Sequence, residues 1–273
     1  MTLDICLAGA TGWAGAALAR GIASQPDLRL VAAVSRSHAG QLLGEVLGVN
    51  GLTTPIFASA DAALATPCKV FVEYTSPSTA KAHVLTALAH GAHVVVGTSG
   101  LTDDDYDEID IAARHAQRGV LACGNFALSA VLLLKCAEMV AKHLRQWEIV
   151  EYASAGKRDV PSGTVRELAT RLSSQPPAAT VPPEQAIGEV AARGATVHGT
   201  QVHALRLPGF SLGVDVVFGA EDETLVLRQN AGSSAKPYVN GALLAIRRVS
   251  ELIGVHRGLD RLLETAGNPS EAT

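Results

Sequence analysis

Aromatic residues are scarce in this 273-residue chain, at 4%. That scarcity argues against the stacked aromatic platforms that hold single-stranded nucleic acid. Charge is thin as well: 18% of residues are Asp, Glu, Lys or Arg, and the formal net charge is -4. Such a balance gives no long-range pull toward nucleic acid or an anionic membrane. None of the four cysteines, Cys6, Cys68, Cys123 and Cys136, belongs to a C-x-x-C pair, so no metal site is expected. Three of them fall in apolar runs and read as buried thiols of a reducing compartment. Long apolar segments are missing too. The longest apolar helical stretch, around Leu128–Val140, is interrupted by Lys135 and Glu138 and cannot span a bilayer. The segment MTLDICLAGATG has no basic region ahead of its short apolar run, so it does not read as a secretory signal. These features together lead us to expect a cytoplasmic protein with no membrane or nucleic-acid partner.

What is present in quantity is apolar and small: 48% hydrophobic residues and 26 glycines. The balance is opposite to that of a disordered chain. The length suits about two modest domains by the usual scale of roughly 100–200 residues each.

Short apolar runs alternate with amphipathic segments through the first half. Strands are expected at Leu3–Ala8, Leu28–Val34, Lys69–Tyr74, His93–Val96 and Val120–Cys123. Helices are expected at Ala14–Ser24, Ser78–His90 and Asp103–Gln117. Repeated strand–helix units favour a parallel sheet covered on both faces, and near-continuous apolar strands agree with that. The pattern changes near Asn125. A helix over Ala127–Leu144, a strand over Trp147–Ala153 and a helix over Gly163–Ser173 come next. The four prolines of Ser174–Pro183 mark a loop. Beyond it, Val197–Leu207, Val214–Phe218 and Glu223–Gln229 read like antiparallel strands separated by turn signals. A helix over Pro237–Ile253 and a polar tail end the chain. The expected fold class is α/β: a Rossmann-like parallel-sheet domain, residues 1–125 plus 234–273, with an inserted α+β domain, residues 126–233, carrying an open mixed or antiparallel sheet.

The first strand runs directly into Gly9-Ala10-Thr11-Gly12-Trp13-Ala14-Gly15. This G-x-x-G-x-x-G between strand and helix allows a tight turn, close approach of the backbone to a pyrophosphate and close strand–helix packing. The helix N-terminus then presents amides and its positive dipole end to the phosphates. A ligand-free βα turn has similar composition, and it is the position in the first strand–helix unit that favours a dinucleotide. At the end of the second strand stands Ser35-Arg36-Ser37, without a carboxylate. Arg36 suits a ribose 2′-phosphate, which points to NADPH, with NADH as a possible cofactor. Thr75-Ser76-Pro77 and Gly97-Thr98-Ser99-Gly100 follow two further strands and suit contacts to a nicotinamide ribose or amide, beside a simpler role as helix caps.

The segment Glu151–Thr164 reads E-Y-A-S-A-G-K-R-D-V-P-S-G-T. A strand ends in a polar loop holding Lys157, Arg158 and Asp159, and Ser162 can cap the helix that follows. Helix-start amides at Gly163 and Thr164, with the Lys157 cation, suit a carboxylate. Lys157 can also donate a proton to a substrate nitrogen. A capped helix beside a solvated basic loop is the plainer alternative.

The chain resembles the dihydrodipicolinate reductase family along essentially its whole length. The resemblance lies in the opening strand–glycine turn–helix, E-Y-T-S-P (73–77), G-T-S-G-L (97–101), G-N-F-A-L-S (124–129) and L-L-L-K-C-A-E (132–138). It continues in K-R-D-V-P-S-G-T (157–164), V-H-A-L-R-L-P-G (202–209) and V-F-G-A-E-D-E-T-L-V-L-R (217–228). It implies hydride transfer from NAD(P)H to a cyclic imine or conjugated unsaturated carboxylate in lysine and diaminopimelate biosynthesis. It further implies a homotetramer built through the open sheet. Carried over by position, Gly9, Thr11, Gly12, Trp13, Ala14, Arg36, Thr75, Gly97, Thr98, Asn125 and Phe126 are cofactor-binding. Lys157 is catalytic, and Ser154, Lys157, Ser162, Gly163 and Thr164 bind a small-molecule carboxylate substrate.

Two segments depart from the family pattern. Ahead of the lysine the family has paired histidines followed by Arg-His, where this chain has Ala153, Ser154, Ala155 and Gly156. After R-L-P-G, a second histidine-containing pattern is replaced by Ser211-Leu212-Gly213-Val214-Asp215-Val216. Three readings follow: Lys157 with water carries the same reaction, the chain serves another imine, or it is a catalytically silent NADPH-binding regulator. His198 and His203 read as structural, since no metal-ligand spacing accompanies them. Ser233-Ser234-Ala235-Lys236 lacks the partner motifs of a serine hydrolase of that type. Arg247, Arg248, Arg257 and Arg261 are expected on the solvated face of the terminal helix.

Overall fold

The computed structural model describes residues 2–175 and 185–264. In chain order its elements begin with β1 (Leu3–Ala8), α1 (Trp13–Ala23), β2 (Leu28–Val34), α2 (Leu43–Leu47), β3 (Ile56–Phe57), α3 (Ala60–Leu64) and β4 (Val70–Glu73). They continue with α4 (Pro77–Ala89), β5 (His93–Val96), α5 (Asp103–His115), β6 (Gly119–Ala122), α6 (Leu128–Ala141), β7 (Gln146–Ala153) and α7 (Gly163–Leu172). The last are β8 (Ala195–Val197), β9 (Thr200–Arg206), β10 (Leu212–Ala220), β11 (Glu223–Ala231), α8 (Lys236–Arg248), β12 (Gly254–Arg257) and α9 (Asp260–Glu264). They form two compact units, Met1–Leu128 with Ala235–Thr273, and Ser129–Ser234.

The first unit is a seven-stranded sheet in the order β12-β6-β5-β4-β1-β2-β3, with every neighbouring pair parallel. Its strands are apolar on both faces. Ile5, Leu7, Val70, Phe71, Val72, Val94, Val95 and Leu121 are all fully buried, as a helix-covered parallel sheet requires. The chain leaves β1 toward β2 and β3, then returns to place β4 on the other side of β1. Ligands of open α/β sheets bind at the carboxyl ends of strands where the order reverses in this way. The loops after β1 and β4 meet there. Gly9 has φ 79°, and a Cβ on it would overlap the Tyr74 carbonyl, while one on Gly15 would overlap the carbonyl of Gly9. The glycines therefore hold the two strand ends and the start of α1 closer than any other residue allows.

The second unit is a five-stranded sheet in the order β11-β10-β7-β9-β8. It is mixed: β7 and β9 run parallel, and the other pairs are antiparallel. Along β7 burial alternates, with Trp147, Ile149, Glu151 and Ala153 turned inward. Ile149, Val216 and Phe218 pack with Leu134, Ala137, Leu168 and Leu172 of α6 and α7 in one apolar core. On the sheet's other side, Tyr152 donates to Asp215 at 2.9 Å and Arg228 pairs with the same carboxylate.

Several expectations need correction. The run Val197–Leu207 is not one strand: it turns at His198 (φ 49°) and Gly199 into the β8–β9 hairpin. The following strand β9 joins β7 in parallel, because a helix and loop intervene and carry the chain back. The terminal helix does not reach Ile253. It ends at Arg248, and Gly254–Arg257 returns to the first sheet as an edge strand beside β6. Four residues carry too little periodicity to reveal such a strand. The expected basic face is thereby dispersed: at the end of α8 Arg247 pairs with Asp27 and Arg248 with Glu251, while Arg257 of β12 pairs with Asp103. The two-residue β3 and the short α2 and α3 also escaped the pattern. Of the proline-rich loop, residues 176–183 lie outside the described residues.

Candidate active site

The carboxyl edge of the first sheet is hollowed by two adjoining cavities. One, of about 420 Å³, is lined by Gly9, Gly12, Ser35, Arg36, Ser37, Thr75, Thr79 and His83, among others. The second, of about 360 Å³, is lined by Trp13, Ala14, Thr75, Gly97, Thr98, Asn125, Phe126 and Tyr238, among others. Tyr74 and Thr75 belong to both walls. Ten of the eleven residues singled out for cofactor binding thus lie on this groove. Thr11 is the exception. Its hydroxyl bonds Ser35 Oγ at 2.8 Å and ties the glycine turn to the end of β2.

Local sequence explains the groove. Gly12 is the N-cap of α1 in extended conformation and makes no side-chain cap, so the helix start is left to its own amides and dipole. Ser76 stands as N-cap of α4 with Pro77 opening the helix, yet its hydroxyl bonds Ser78 Oγ and Thr79 Oγ1 rather than a helix amide. Gly97 has the ring of Tyr74 laid where a Cβ would project. That ring also meets Phe126 at a centroid distance of 5.8 Å. The Tyr74 hydroxyl is buried with no hydrogen-bond partner among the described residues, and burial pushes its pKa up. Trp13 is 63% exposed and meets the Tyr238 ring edge-on at a centroid distance of 5.8 Å.

The substrate-side candidates lie in the second unit, in the loop between β7 and α7. Lys157 Nζ contacts both carboxylate oxygens of Asp159 at 2.7 Å, and the lysine holds the Asp159 carboxyl below its ordinary range. The Lys157 amide donates to the Ser154 carbonyl at 3.0 Å, closing the turn. Ser162 caps α7, accepting from the Val165 amide at 3.4 Å. Its own amide donates to the buried carboxylate of Glu151 at 3.1 Å. Arg206 completes the frame with bonds to Glu151 Oε2 (2.9 Å), the Asp159 carbonyl (2.8 Å) and the Lys157 carbonyl (3.3 Å). Ser154 and Lys157 thus close one turn of this loop, and Ser162, Gly163 and Thr164 open α7 at its other end. Ala153 stands apart: it is fully buried in the sheet, whereas Ser154 is exposed.

The family profile for the N-terminal part of dihydrodipicolinate reductase matches residues 3–126, and that for the C-terminal part matches residues 129–262. The chain belongs to the dihydrodipicolinate reductase family. It is an NAD(P)H-dependent reductase of this type. It is 32% identical to the 4-hydroxy-tetrahydrodipicolinate reductase of Geobacillus kaustophilus over 266 residues, covering 97% of this chain and 100% of the relative. Identity to the enzyme of the same name from Synechococcus elongatus is 34%, covering 96% and 98%. A dipicolinate-bound dihydrodipicolinate reductase from Paenisporosarcina superposes with a TM-score of 0.85 at 27% identity, covering 96% of this chain and 99% of that one. An amine dehydrogenase from Mycobacterium smegmatis, at 13% identity and a TM-score of 0.67, shares the fold. The α/β reading, a parallel Rossmann-like sheet with a second mixed sheet, holds throughout.

Sequence reasoning passed over several reductase groove residues. Tyr238 was hidden in an amphipathic helix. Glu73 and Tyr74 were read as the tail of a strand, and His83 as part of a helix. The usable signal was Glu73 itself, a carboxylate ending an otherwise apolar buried strand, where charge needs partners. Arg206 gave no such signal, since its partners lie 49 and 55 residues earlier in the chain.

Proposed function

We propose that the protein uses NADPH to reduce the C=N bond of a small cyclic imine carboxylate, with the first unit holding the cofactor and the second the substrate. The fit of the groove to a dinucleotide carries this reading: glycines that admit no Cβ, a helix start without a side-chain cap, and Arg36 at the end of β2. A bound reduced nicotinamide supplies the hydride. Gly9, Gly12, Trp13 and Ala14 would hold the pyrophosphate, and Arg36 would pair with the 2′-phosphate. Thr75, Gly97, Thr98, Asn125 and Phe126 hold the nicotinamide end. NADH lacks the 2′-phosphate and is the weaker cofactor.

On the substrate side, Gly163 and Thr164 place the positive end of the α7 dipole at a carboxylate. Ser154 and Ser162 frame the same turn, and Lys157 supplies a cation. As hydride reaches the imine carbon, the nitrogen takes up a proton, and Lys157 is the donor. The paired histidines of the family pattern are absent here, and each missing charge-assisted hydrogen bond removes about 1.5–3 kcal/mol. This loss favours an imine with one carboxylate over a dicarboxylate. The protein acts in the cytoplasm as a homotetramer assembled through the open sheet of the second unit.

Turnover of NADPH with 4-hydroxy-tetrahydrodipicolinate and with a monocarboxylate cyclic imine tests the reading. Faster reduction of the monocarboxylate supports it. Preference for the dicarboxylate restores the relatives' substrate, and tight NADPH binding without turnover of either leaves a binding protein.

A further inference from the structure

Glu73 is fully buried at the last position of β4. Its Oε1 accepts from the Thr75 amide at 2.8 Å, from the Thr75 hydroxyl, and from the Thr98 hydroxyl at 3.2 Å. Its Oε2 lies 2.7 Å from His83 Nδ1. A carboxylate only accepts, so the imidazole carries its proton on Nδ1 and keeps Nε2 for the cavity it lines. The three donor residues come from the β4–α4 loop, the β5–α5 loop and α4. His83 lines the cavity that also holds Arg36, Thr98 lines the one that holds Asn125 and Phe126, and Thr75 lines both. One buried carboxylate therefore fixes wall residues of the two adjoining cavities.

We infer that Glu73 is a positioning residue that sets both ends of the dinucleotide groove at once. The inference rests on the dinucleotide reading of that groove. Three donors crowd Oε1 and one meets Oε2, a demand that a carboxylate with acceptor sites on both oxygens can meet. Glutamine at this position keeps the shape but loses one acceptor oxygen. Its NH₂ must then face either His83 Nδ1–H or the Thr75 and Thr98 donors. In the first case the imidazole has to move its proton to Nε2, changing what it offers the cavity. In the second, the Thr75 and Thr98 donors are released. The first arrangement costs the native imidazole tautomer, and the second leaves the Thr75 amide opposed to the NH₂, costs absent from the native site.

The test uses the intact protein with two half-ligands, adenosine 2′,5′-bisphosphate and reduced nicotinamide mononucleotide, and calorimetric affinities for each and for NADPH. Glu73→Gln is expected to weaken both half-ligands, each on the order of tenfold. Arg36→Ala should weaken only the bisphosphate and Thr98→Val only the mononucleotide. Loss for one half-ligand alone, for neither, or a lower Tm with unchanged affinities overturns the inference. Should Glu73→Gln not fold, Glu73→Asp keeps the charge but shortens its reach, and unchanged NADPH affinity in that variant overturns it equally. Wild-type protein that binds NADPH, with Glu73→Gln binding NADPH and both half-ligands equally tightly, keeps the dinucleotide reading while removing Glu73. Wild-type protein that binds none of the three removes the dinucleotide reading itself.

Discussion

Arg206 reaches the buried carboxylate of Glu151 at 2.9 Å, with side-chain exposures of 15% and 2%. From that anchor the same guanidinium holds the carbonyls of Asp159 and Lys157, while Glu151 also holds the Ser162 amide. The loop that presents Lys157 is thus braced by an ion pair lying mostly below the surface. Arg206→Met removes the brace and strands Glu151, at a cost of about 3–5 kcal/mol in stability. Replacing both partners with Arg206→Met and Glu151→Leu should cost less than the single substitution, because no buried charge is left alone. Denaturant unfolding of the two variants decides this, and a double variant less stable than Arg206→Met contradicts the pairing.

Lys157 is the proposed proton donor, and its ammonium pairs with the Asp159 carboxylate at 2.7 Å. Lys157→Ala should lower kcat by about a hundredfold or more, the usual scale for a lost general acid, with little change in NADPH affinity. Asp159→Asn should retain more activity than Lys157→Ala, since it spares the ammonium. Steady-state kinetics with separate cofactor titrations distinguish these outcomes, and unchanged kcat in Lys157→Ala takes the lysine out of the chemistry.

Arg36 lies on the cavity wall between Ser35 and Ser37. If it carries the 2′-phosphate, Arg36→Ala raises KM for NADPH by about tenfold to a hundredfold, the scale of a lost hydrogen bond to a charged group, and hardly alters KM for NADH. Equal effects on the two cofactors contradict the assignment.

His93 is buried between β5 and β6, and its Nδ1 accepts the Gly119 amide at 2.9 Å. Burial, with the nearby Lys69 and Arg118 cations, lowers its pKa from 6.5 to about 4. The folded state therefore binds fewer protons than the unfolded state between those values. Stability is full above pH 6.5 and falls as pH drops toward 4, by roughly 3 kcal/mol at most from this group. His93→Asn should flatten that part of the profile. Unfolding free energies measured from pH 4 to 7 provide the check, and an unchanged slope in the variant excludes His93 as its source.

The amino-acid sequence alone determined the elements with strong local signatures. Apolar runs such as Leu3–Ala8 and His93–Val96 had to be buried strands, and G-x-x-G-x-x-G after the first of them had to be a tight turn into a helix. The order Pro161-Ser162-Gly163-Thr164 likewise placed a capped helix start there, because such a start is a local structure. Tertiary structure decided whatever depends on residues far apart in the chain. It turned Gly254–Arg257, beyond the expected helix and in the polar tail, into an edge strand, since β6 supplies hydrogen bonds that four residues cannot provide for themselves. It paired β9 with β7 in parallel, brought Arg206 under the Lys157 loop, and set Glu73 beneath Thr75, His83 and Thr98. Buried charges carry the least legible information in a sequence. Their stability depends on partners whose separation along the chain has no bearing on their separation in space.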